Sequence, residues 1–337
     1  MTDDASARTG PELPGALPYG EALGAVRALL QHELLHSDAL ASGMTEYLAS
    51  SAGKNFRAQL LLAAAAGEDG MVPHDALLAA AALELLHLAT LVHDDVVDGS
   101  DMRRGRPSLR SKFGEKSAVI CGDYLMCRCF LLLTGLSGEY RAQVTEVARA
   151  MMRVCLGELR EYRHNGDYSL SPLGYFRIIA GKTAALFAFS LYAGGVTGGL
   201  SEREERSLGW LGYYIGMAFQ LVDDGMDYAA DTETAGKSVQ HDLAEGVVTL
   251  PLIVAMRKDP ALRSRLAGSG LAEGIVRSPS ELAQVLAEVR ALGGAGAARE
   301  TAEKYFAKAE KQLGRVQNAA RRERLAALMR AIRERTY

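Results

Sequence analysis

Asp94-Asp95-Val96-Val97-Asp98 and Asp223-Asp224-Gly225-Met226-Asp227 are two copies of one acidic pattern, far apart in a chain of 337 residues. On a helix, residues four apart share a face and the neighbour of the first lies about 100° around the axis, so each set offers carboxylates to one ion-filled space. Magnesium takes oxygen ligands in octahedral geometry, keeps several waters, and is shared between one or two carboxylates and substrate phosphates. Asp94, Asp95, Asp98, Asp223, Asp224 and Asp227 suit that ion as two banks of ligands. With charged types at about 25% of an ordinary chain, one Asp-Asp-x-x-Asp arises by chance in roughly one chain of this length in ten, and two in well under one in a hundred. A solvated acidic helix end accounts for one copy but not for the pair.

A metal cluster alone serves a phosphatase or nuclease equally well, so the basic residues must decide whose phosphates these are. Asp101-Met102-Arg103-Arg104-Gly105 places an arginine pair on a turn just after the first acidic set, where it can clamp a second set of anionic oxygens. Gly53-Lys54-Asn55-Phe56-Arg57 puts a lysine and an arginine three apart on one helical face, and His87 lies two turns before Asp94. Gly181-Lys182-Thr183 and Gly236-Lys237 add two further cations beside glycines. Singly each has a structural explanation, since a lone histidine on an apolar helix is more often a core residue. Gly181-Lys182-Thr183 is no P-loop: the preceding strand and the earlier glycine are both missing.

These residues need helices to hold them. Leucine and alanine recur at spacings of three and four through Leu23 to Leu35, Leu60 to Ala66, Ala76 to Val97, Ser117 to Leu133, Val144 to Tyr162, Tyr175 to Gly194 and Leu208 to Tyr228. Alternating strand signals are nearly absent, so the chain reads as all-α. Several helices are apolar over most of their circumference, which implies a bundle with a central helix. Each acidic motif ends a long apolar helix, as though two helices lined opposite walls of one cavity. Residues 1 to 16, rich in Pro, Gly and small polar types, read as a mobile tail, and 17 to 337 as one helical domain. The basic ending Arg321 to Arg335 reads as a solvated amphipathic helix.

Hydrophobic content of 48%, 23% charged residues and a net charge of -3 describe a globular protein with no bias toward nucleic acid. No uninterrupted apolar run reaches the roughly 18 residues of a membrane span, and the amino terminus lacks a signal-peptide pattern, so a cytoplasmic location is expected. Cys121, Cys127, Cys129 and Cys155 form no Cys-x-x-Cys pair and read as buried thiols.

The string Glu84-Leu-Leu-His87-Leu-Ala-Thr-Leu-Val-His-Asp94-Asp95-Val-Val-Asp98, followed by Arg103-Arg104-Gly105, resembles the first aspartate-rich region of trans-isoprenyl diphosphate synthases. The resemblance continues in order through Gly122-Asp123-Tyr124-Leu125, Gly157-Glu158, Gly181-Lys182-Thr183-Ala184, Phe219-Gln220-Leu221-Val222-Asp223-Asp224, Asp227-Tyr228 and Gly236-Lys237, covering about residues 20 to 335. It implies an isoprenoid-synthase bundle around a central cavity, working as a homodimer. It also implies that the six aspartates hold Mg²⁺ on an allylic diphosphate, with Asp94, Asp95, Asp98, Lys182, Asp223 and Asp224 as the catalytic core. Arg103, Lys182 and Lys237 would neutralise the leaving diphosphate, which Thr183 and Gln220 would steady. Lys54, Arg57, His87 and Arg104 would hold isopentenyl diphosphate, the nucleophile. Departure of diphosphate leaves an allylic cation, which needs fixed positive charge around the leaving group and an apolar, water-poor cavity around itself.

Three departures stand out. Ala52-Gly53-Lys54-Asn55 and Arg57-Ala58 replace the family's Gly-Gly-Lys-Arg and Arg-Pro, keeping the outer charges. Val247 follows Asp242-Leu243-Ala244-Glu245-Gly246 where the family has lysine, so one diphosphate contact is expected to be missing. Gly225 costs about 1 kcal/mol against Ala in a helix and is expected to loosen the second bank. In the family, bulky residues one turn before the first motif shorten the product. Ala89 and Thr90 are small, with Met126 as a candidate lower floor, so the resemblance implies a long-chain product. The alternatives are a geranylgeranyl-length synthase, a noncatalytic partner subunit and a class I terpene cyclase. The cyclase has no use for a second diphosphate site, and a noncatalytic subunit should have lost aspartates.

Overall fold

Fifteen α-helices carry nearly all of the regular structure among the described residues, which are 14–50, 53–138, 143–229, 246–268 and 279–334 of a computed structural model. Lys237, Asp242 to Glu245 and residues 1–13 lie outside the described residues. In order the elements are β1 (Ala16–Pro18), α1 (Tyr19–Leu35), α2 (Ser42–Ala49), α3 (Phe56–Ala65), β2 (Met71–Pro73), α4 (His74–Val97), β3 (Met102–Arg103), β4 (Arg106–Pro107), α5 (Leu109–Phe113) and α6 (Glu115–Thr134). Then follow α7 (Gln143–His164), α8 (Pro172–Ile179), a π-helical turn (Ala180–Ala184), α9 (Ala185–Thr197), α10 (Glu202–Ala229), α11 (Leu250–Lys258), α12 (Pro260–Gly268), α13 (Pro279–Ala291), α14 (Gly294–Leu313) and α15 (Ala319–Arg333). The leucine and alanine periodicity locates α1, α3, α4 and α6 to α10, and at α8 a capping residue sets the start. Ser171 accepts the Gly174 N–H with Pro172 in the first turn of α8. Helices α2, α5 and α11 to α14 lie outside the stretches that the leucine and alanine spacing marked.

The chain divides into two compact units. The first comprises Met1–Glu146, Ser190–Arg206 and Asn318–Leu325. Its core is α4, whose Ala- and Leu-rich sequence favours helix and buries Leu77, Leu85 and Leu86 completely. Helices α1, α3, α5 and α6 pack against it. Two short antiparallel pairs join this unit, Ala16–Pro18 with Met71–Pro73 and Met102–Arg103 with Arg106–Pro107. With two or three residues per strand, neither pair can show the alternation by which strands are read from sequence.

The second unit comprises Val147–Phe189, Ser207–Gln317 and Ala326–Tyr337. Within it α11 packs against α14, α12, α13 and α8. The π-helical turn Ala180–Ala184 lies against α7 so closely that a Cβ on Gly157 would sit 2.3 Å from the Lys182 backbone nitrogen.

Three helices, His74–Val97, Glu115–Thr134 and Pro172–Thr197, are long and apolar enough to cross a membrane by length and composition. This corrects the expectation from uninterrupted runs, which end at every isolated polar residue although the eighteen-residue mean hydropathy stays between 1.3 and 1.7. Two of the three owe that character to the core, with 78% and 72% of the window buried, while Glu115–Thr134 is 33% buried. The thiols are corrected likewise. Cys121 and Cys129 are buried, and burial pushes their pKa values up to about 11 and about 12, but Cys127 and Cys155 are exposed.

Gly225 is buried, and a Cβ there would meet Ala298 Cβ at 3.4 Å and Ala295 O at 3.5 Å, ordinary contact distances, so the position has room for alanine. Gly157→Ala and Gly225→Ala are therefore expected to have opposite signs in urea unfolding. The first overpacks backbone against backbone and should cost about 1–3 kcal/mol. The second should gain up to about 1 kcal/mol of helix propensity.

Candidate active site

Both acidic sets occupy the carbonyl ends of long helices, α4 and α10, and neither helix has a basic residue in its last turn. Helix dipoles disfavour carboxylates there by about 0.3–1 kcal/mol each, so the local rule is broken twice in the same way. In both sets the second aspartate is buried, and the first and last are half-buried.

In the first unit Asp95 is 3% exposed, and its Oδ1 accepts from Arg103 Nε at 2.8 Å and Nη2 at 2.6 Å. Arg103 comes from β3. The turn between β3 and β4 is Arg104-Gly105, with φ of 51° and 75°, as a two-residue hairpin that follows strand twist requires. Sequence reasoning gave Asp95 to the metal and Arg103 to the leaving diphosphate, whereas here the two satisfy one another. The reason is burial, since a carboxylate out of water demands a partner.

The basic residues of this unit do gather. Arg57 Nη1 donates to His87 Nε2 at 2.8 Å. Burial first, then the charges of Arg57, Arg104 and Arg103, hold the His87 pKa well below the ordinary imidazole range, so the ring is a neutral acceptor. The Arg104 guanidinium lies against Gly53, whose Cβ would be 3.0 Å from Nη1, next to the exposed Lys54. Asn55 and Arg104 are the two non-glycine residues with positive φ among the described residues, and both lie in this cluster. Asn55 is held there by Arg27 Nε, which donates to its Oδ1 at 3.1 Å, and by Glu84, which accepts from its Nδ2 at 3.3 Å. Glu84 also accepts from the Ala58 N–H at 2.9 Å, a donor that proline would not offer. Three residues before His87 on α4, Glu84 was legible as sharing its face, yet only the fold shows what it holds.

In the second unit Asp224 is 6% exposed, accepting from Tyr175 OH at 2.5 Å and from Gln220 Nε2 at 2.7 Å, while Thr183 Oγ1 donates to Gln220 Oε1 at 2.7 Å. Thr183 and Gln220, expected to steady a diphosphate, are thus linked to Asp224. Burial, with the Asp227 and Asp223 charges behind it, raises the Asp224 pKa to about 7 against the two hydrogen bonds. Tyr175 is the residue that sequence reasoning missed; it precedes Lys182 by seven, but the π-helical turn breaks that register. Lys182 Nζ pairs with Glu158 at 3.0 Å and with Glu161, both on α7. Gly246 O accepts from Gly166 N at 2.8 Å, and Val247, half-buried beside it, supplies no charge.

Among the described residues no three His, Cys, Asp or Glu side chains stand close enough to enclose an ion unaided. The donor sets fit a divalent cation that completes its shell with phosphate and water: half-buried Asp94 with Asp98, and Asp223 with Asp227, each at a helix end short of positive charge. On α4, Ala89 is fully buried and Thr90 donates to His87 O at 2.8 Å; Met126 on α6 is half-buried.

The family profile described as Polyprenyl synthetase matches residues 38–278. The octaprenyl diphosphate synthase of Escherichia coli is 37% identical over 281 residues, 82% of this chain and 84% of that one. The crystal structure of a decaprenyl diphosphate synthase from Rhodobacter capsulatus has a TM-score of 0.83 at 32% identity, covering 94% of this chain and 97% of that one. A polyprenyl synthase from Caulobacter crescentus, solved with calcium and isoprenyl diphosphate, has a TM-score of 0.84 at 31% identity, covering 94% and 96%.

Two outcomes follow from the buried aspartates. Arg103→Leu removes two donors from the buried Asp95 charge and is expected to cost about 1–3 kcal/mol in urea unfolding, part of which Asp95→Asn in the same chain should restore. The raised Asp224 pKa means the folded chain holds that proton more tightly than the unfolded one. Without metal, stability is therefore expected to fall as pH rises from about 4 to about 7 and then level, and Asp224→Asn should flatten that slope.

Proposed function

The chain belongs to the polyprenyl synthetase family and is a prenyltransferase; from that premise we propose that it condenses isopentenyl diphosphate with an allylic prenyl diphosphate and extends the product to a long-chain polyprenyl diphosphate. The observation that carries the reading is the basic cluster of the first unit. Arg57, neutral His87 and Arg104, beside Lys54, form a site for an anion that needs no metal. A phosphatase, nuclease or terpene cyclase requires no such second anion site.

We propose Mg²⁺ as the ion of each acidic set, held by Asp94 and Asp98 in the first and by Asp223 and Asp227 in the second. Bound there, it would stabilise the charge that grows on the departing diphosphate. Asp95 and Asp224, fixed by Arg103 and by Tyr175 with Gln220, act as positioning residues that lock the faces on which their neighbours point. Lys182, balanced between Glu158 and Glu161, supplies fixed positive charge for the leaving group. His87, kept neutral, accepts the Arg57 hydrogen bond and so orients that guanidinium toward the isopentenyl diphosphate. No side-chain base is needed if the departing diphosphate takes the proton.

The product is read as long-chain because the residues one turn before Asp94 are small: Ala89 is fully buried and Thr90 turns its hydroxyl back to the His87 carbonyl. The likeness to octaprenyl and decaprenyl synthases supports the same reading. A homodimer is supported by two exposed apolar stripes at helical spacing, Ile120, Cys127 and Leu131 on α6, and Met152, Leu156 and Leu159 on α7. Four free thiols accord with the reducing cytoplasm.

Purified protein incubated with Mg²⁺, isopentenyl diphosphate and a series of allylic primers is expected to give long-chain products, of the class made by the octaprenyl and decaprenyl relatives, when the dephosphorylated alcohols are sized by chromatography. Absence of condensation with every primer would sink the reading. Ala89→Phe is expected to shorten the product with condensation retained; an unchanged length would place the tail elsewhere.

A further inference from the structure

Asn55 stands at the start of α3, where an asparagine ordinarily folds its side-chain oxygen back onto a backbone N–H of the first turn. Here it does not. Its backbone is left-handed, with φ of 52°, and its side chain makes no capping bond. The side chain is turned instead to two other helices. Its Oδ1 accepts from Arg27 Nε of α1 at 3.1 Å, and its Nδ2 donates to Glu84 Oε2 of α4 at 3.3 Å. A guanidinium can only donate and a carboxylate can only accept, so one orientation of the amide satisfies both neighbours.

The cap comes from Glu84. Its Oε1 accepts the N–H of Ala58, the third residue of α3, at 2.9 Å, so a buried carboxylate on α4 does for α3 what the residue at its own start would normally do. Glu84 thus holds the Asn55 side chain with one oxygen and the first turn of α3 with the other. Three residues farther along α4, on the same face, His87 accepts from Arg57 Nη1 at 2.8 Å. One face of α4 therefore grips the Asn55 amide, the Arg57 guanidinium and the Ala58 backbone together. Lys54 lies immediately before this grip, and its carbonyl accepts from Gln59 Nε2 at 2.6 Å. The left-handed residue that turns the chain between Lys54 and Arg57 sets how far apart the two cations stand, and asparagine is among the few side chains that accept that conformation.

We propose, on the reading of the basic cluster as the isopentenyl diphosphate site, that Asn55 and Glu84 are positioning residues for that substrate. Through the chain of hydrogen bonds from Arg27 through Asn55 to Glu84 they hold Lys54 and Arg57 at the spacing that meets one diphosphate. Neither touches the substrate. Their effect is confined to isopentenyl diphosphate, because the allylic diphosphate is read as bound by the acidic sets and Lys182.

Titration calorimetry of the full-length protein with isopentenyl diphosphate alone, and separately with Mg²⁺ and geranyl thiodiphosphate, measures the two affinities without turnover. Asn55→Gly keeps the backbone, since glycine adopts a positive φ freely, and removes the side chain. It is expected to weaken isopentenyl diphosphate on the order of tenfold, as for loss of a hydrogen bond to a charged group. The allylic analogue should stay within about twofold, as for independent sites. Asn55→Asp sets two carboxylates against each other, and Glu84→Gln sets two amide donors against each other, so each alone is expected to weaken isopentenyl diphosphate. Together they exchange carboxylate and amide, keep the Arg27 and Ala58 bonds, and should restore the affinity to within about twofold. Loss confined to isopentenyl diphosphate, with recovery in the double variant, supports positioning. Equal loss of both ligands, or unchanged isopentenyl diphosphate affinity in Asn55→Gly that is folded by circular dichroism, overturns it. Failure of the unaltered protein to bind isopentenyl diphosphate overturns the reading of the cluster and the positioning with it, so the two failures are told apart.

Discussion

A carboxylate taken out of water must be given donors or a proton, and this protein meets that demand at two corresponding places. Asp95 is answered by the Arg103 guanidinium and Asp224 by Tyr175 and Gln220. Each answer anchors the middle carboxylate of its set to a residue from another element, β3 for Asp95 and α8 for Asp224. The answers differ in kind. Arg103 brings a full positive charge, while Tyr175 and Gln220 bring neutral donors that do not offset burial, so Asp224 holds its proton to about pH 7. The two sets are alike in sequence and unlike in electrostatics.

The strain in the first unit has the same logic. Asn55 and Arg104 occupy a left-handed backbone region that side chains disfavour, and both belong to the segments that gather Lys54, Arg57, His87 and Arg104. Glu84 bears part of that cost by holding the Asn55 side chain and the Ala58 N–H together. Asn55 and Ala58 stand where the family has arginine and proline, and the buried glutamate on α4 ties both replacements into the site. In the second unit the corresponding device is the π-helical turn at Ala180–Ala184, which lets backbone meet backbone at Gly157 and delivers Lys182 to Glu158 and Glu161.

Much of the helical fold was legible because leucine and alanine repeat at the helical period over long stretches, and Ser171-Pro172 marked a helix start as capping chemistry requires. The short strand pairs were not legible, since two or three residues carry no alternation. The exposure of Cys127 against the burial of Cys121 and Cys129 depends on which way α6 faces, and the room for a Cβ at Gly225 depends on the distant Ala298. Of the site, the acidic sets and the basic residues were found by type and spacing, whereas Tyr175 and Glu84 were not, because a single buried tyrosine or glutamate has no pattern of its own.

The sequence by itself determined the helices, the two acidic sets, the cations that surround them and the small residues one turn before Asp94, because each is a local matter of residue type and period. Only the tertiary structure decided how the charges are shared: that Arg103 belongs to Asp95, that Thr183 and Gln220 serve Asp224, and that Lys182 is balanced by two glutamates. The reason is physical. Pairing depends on which groups lose water together, and burial is set by packing between segments distant in the chain.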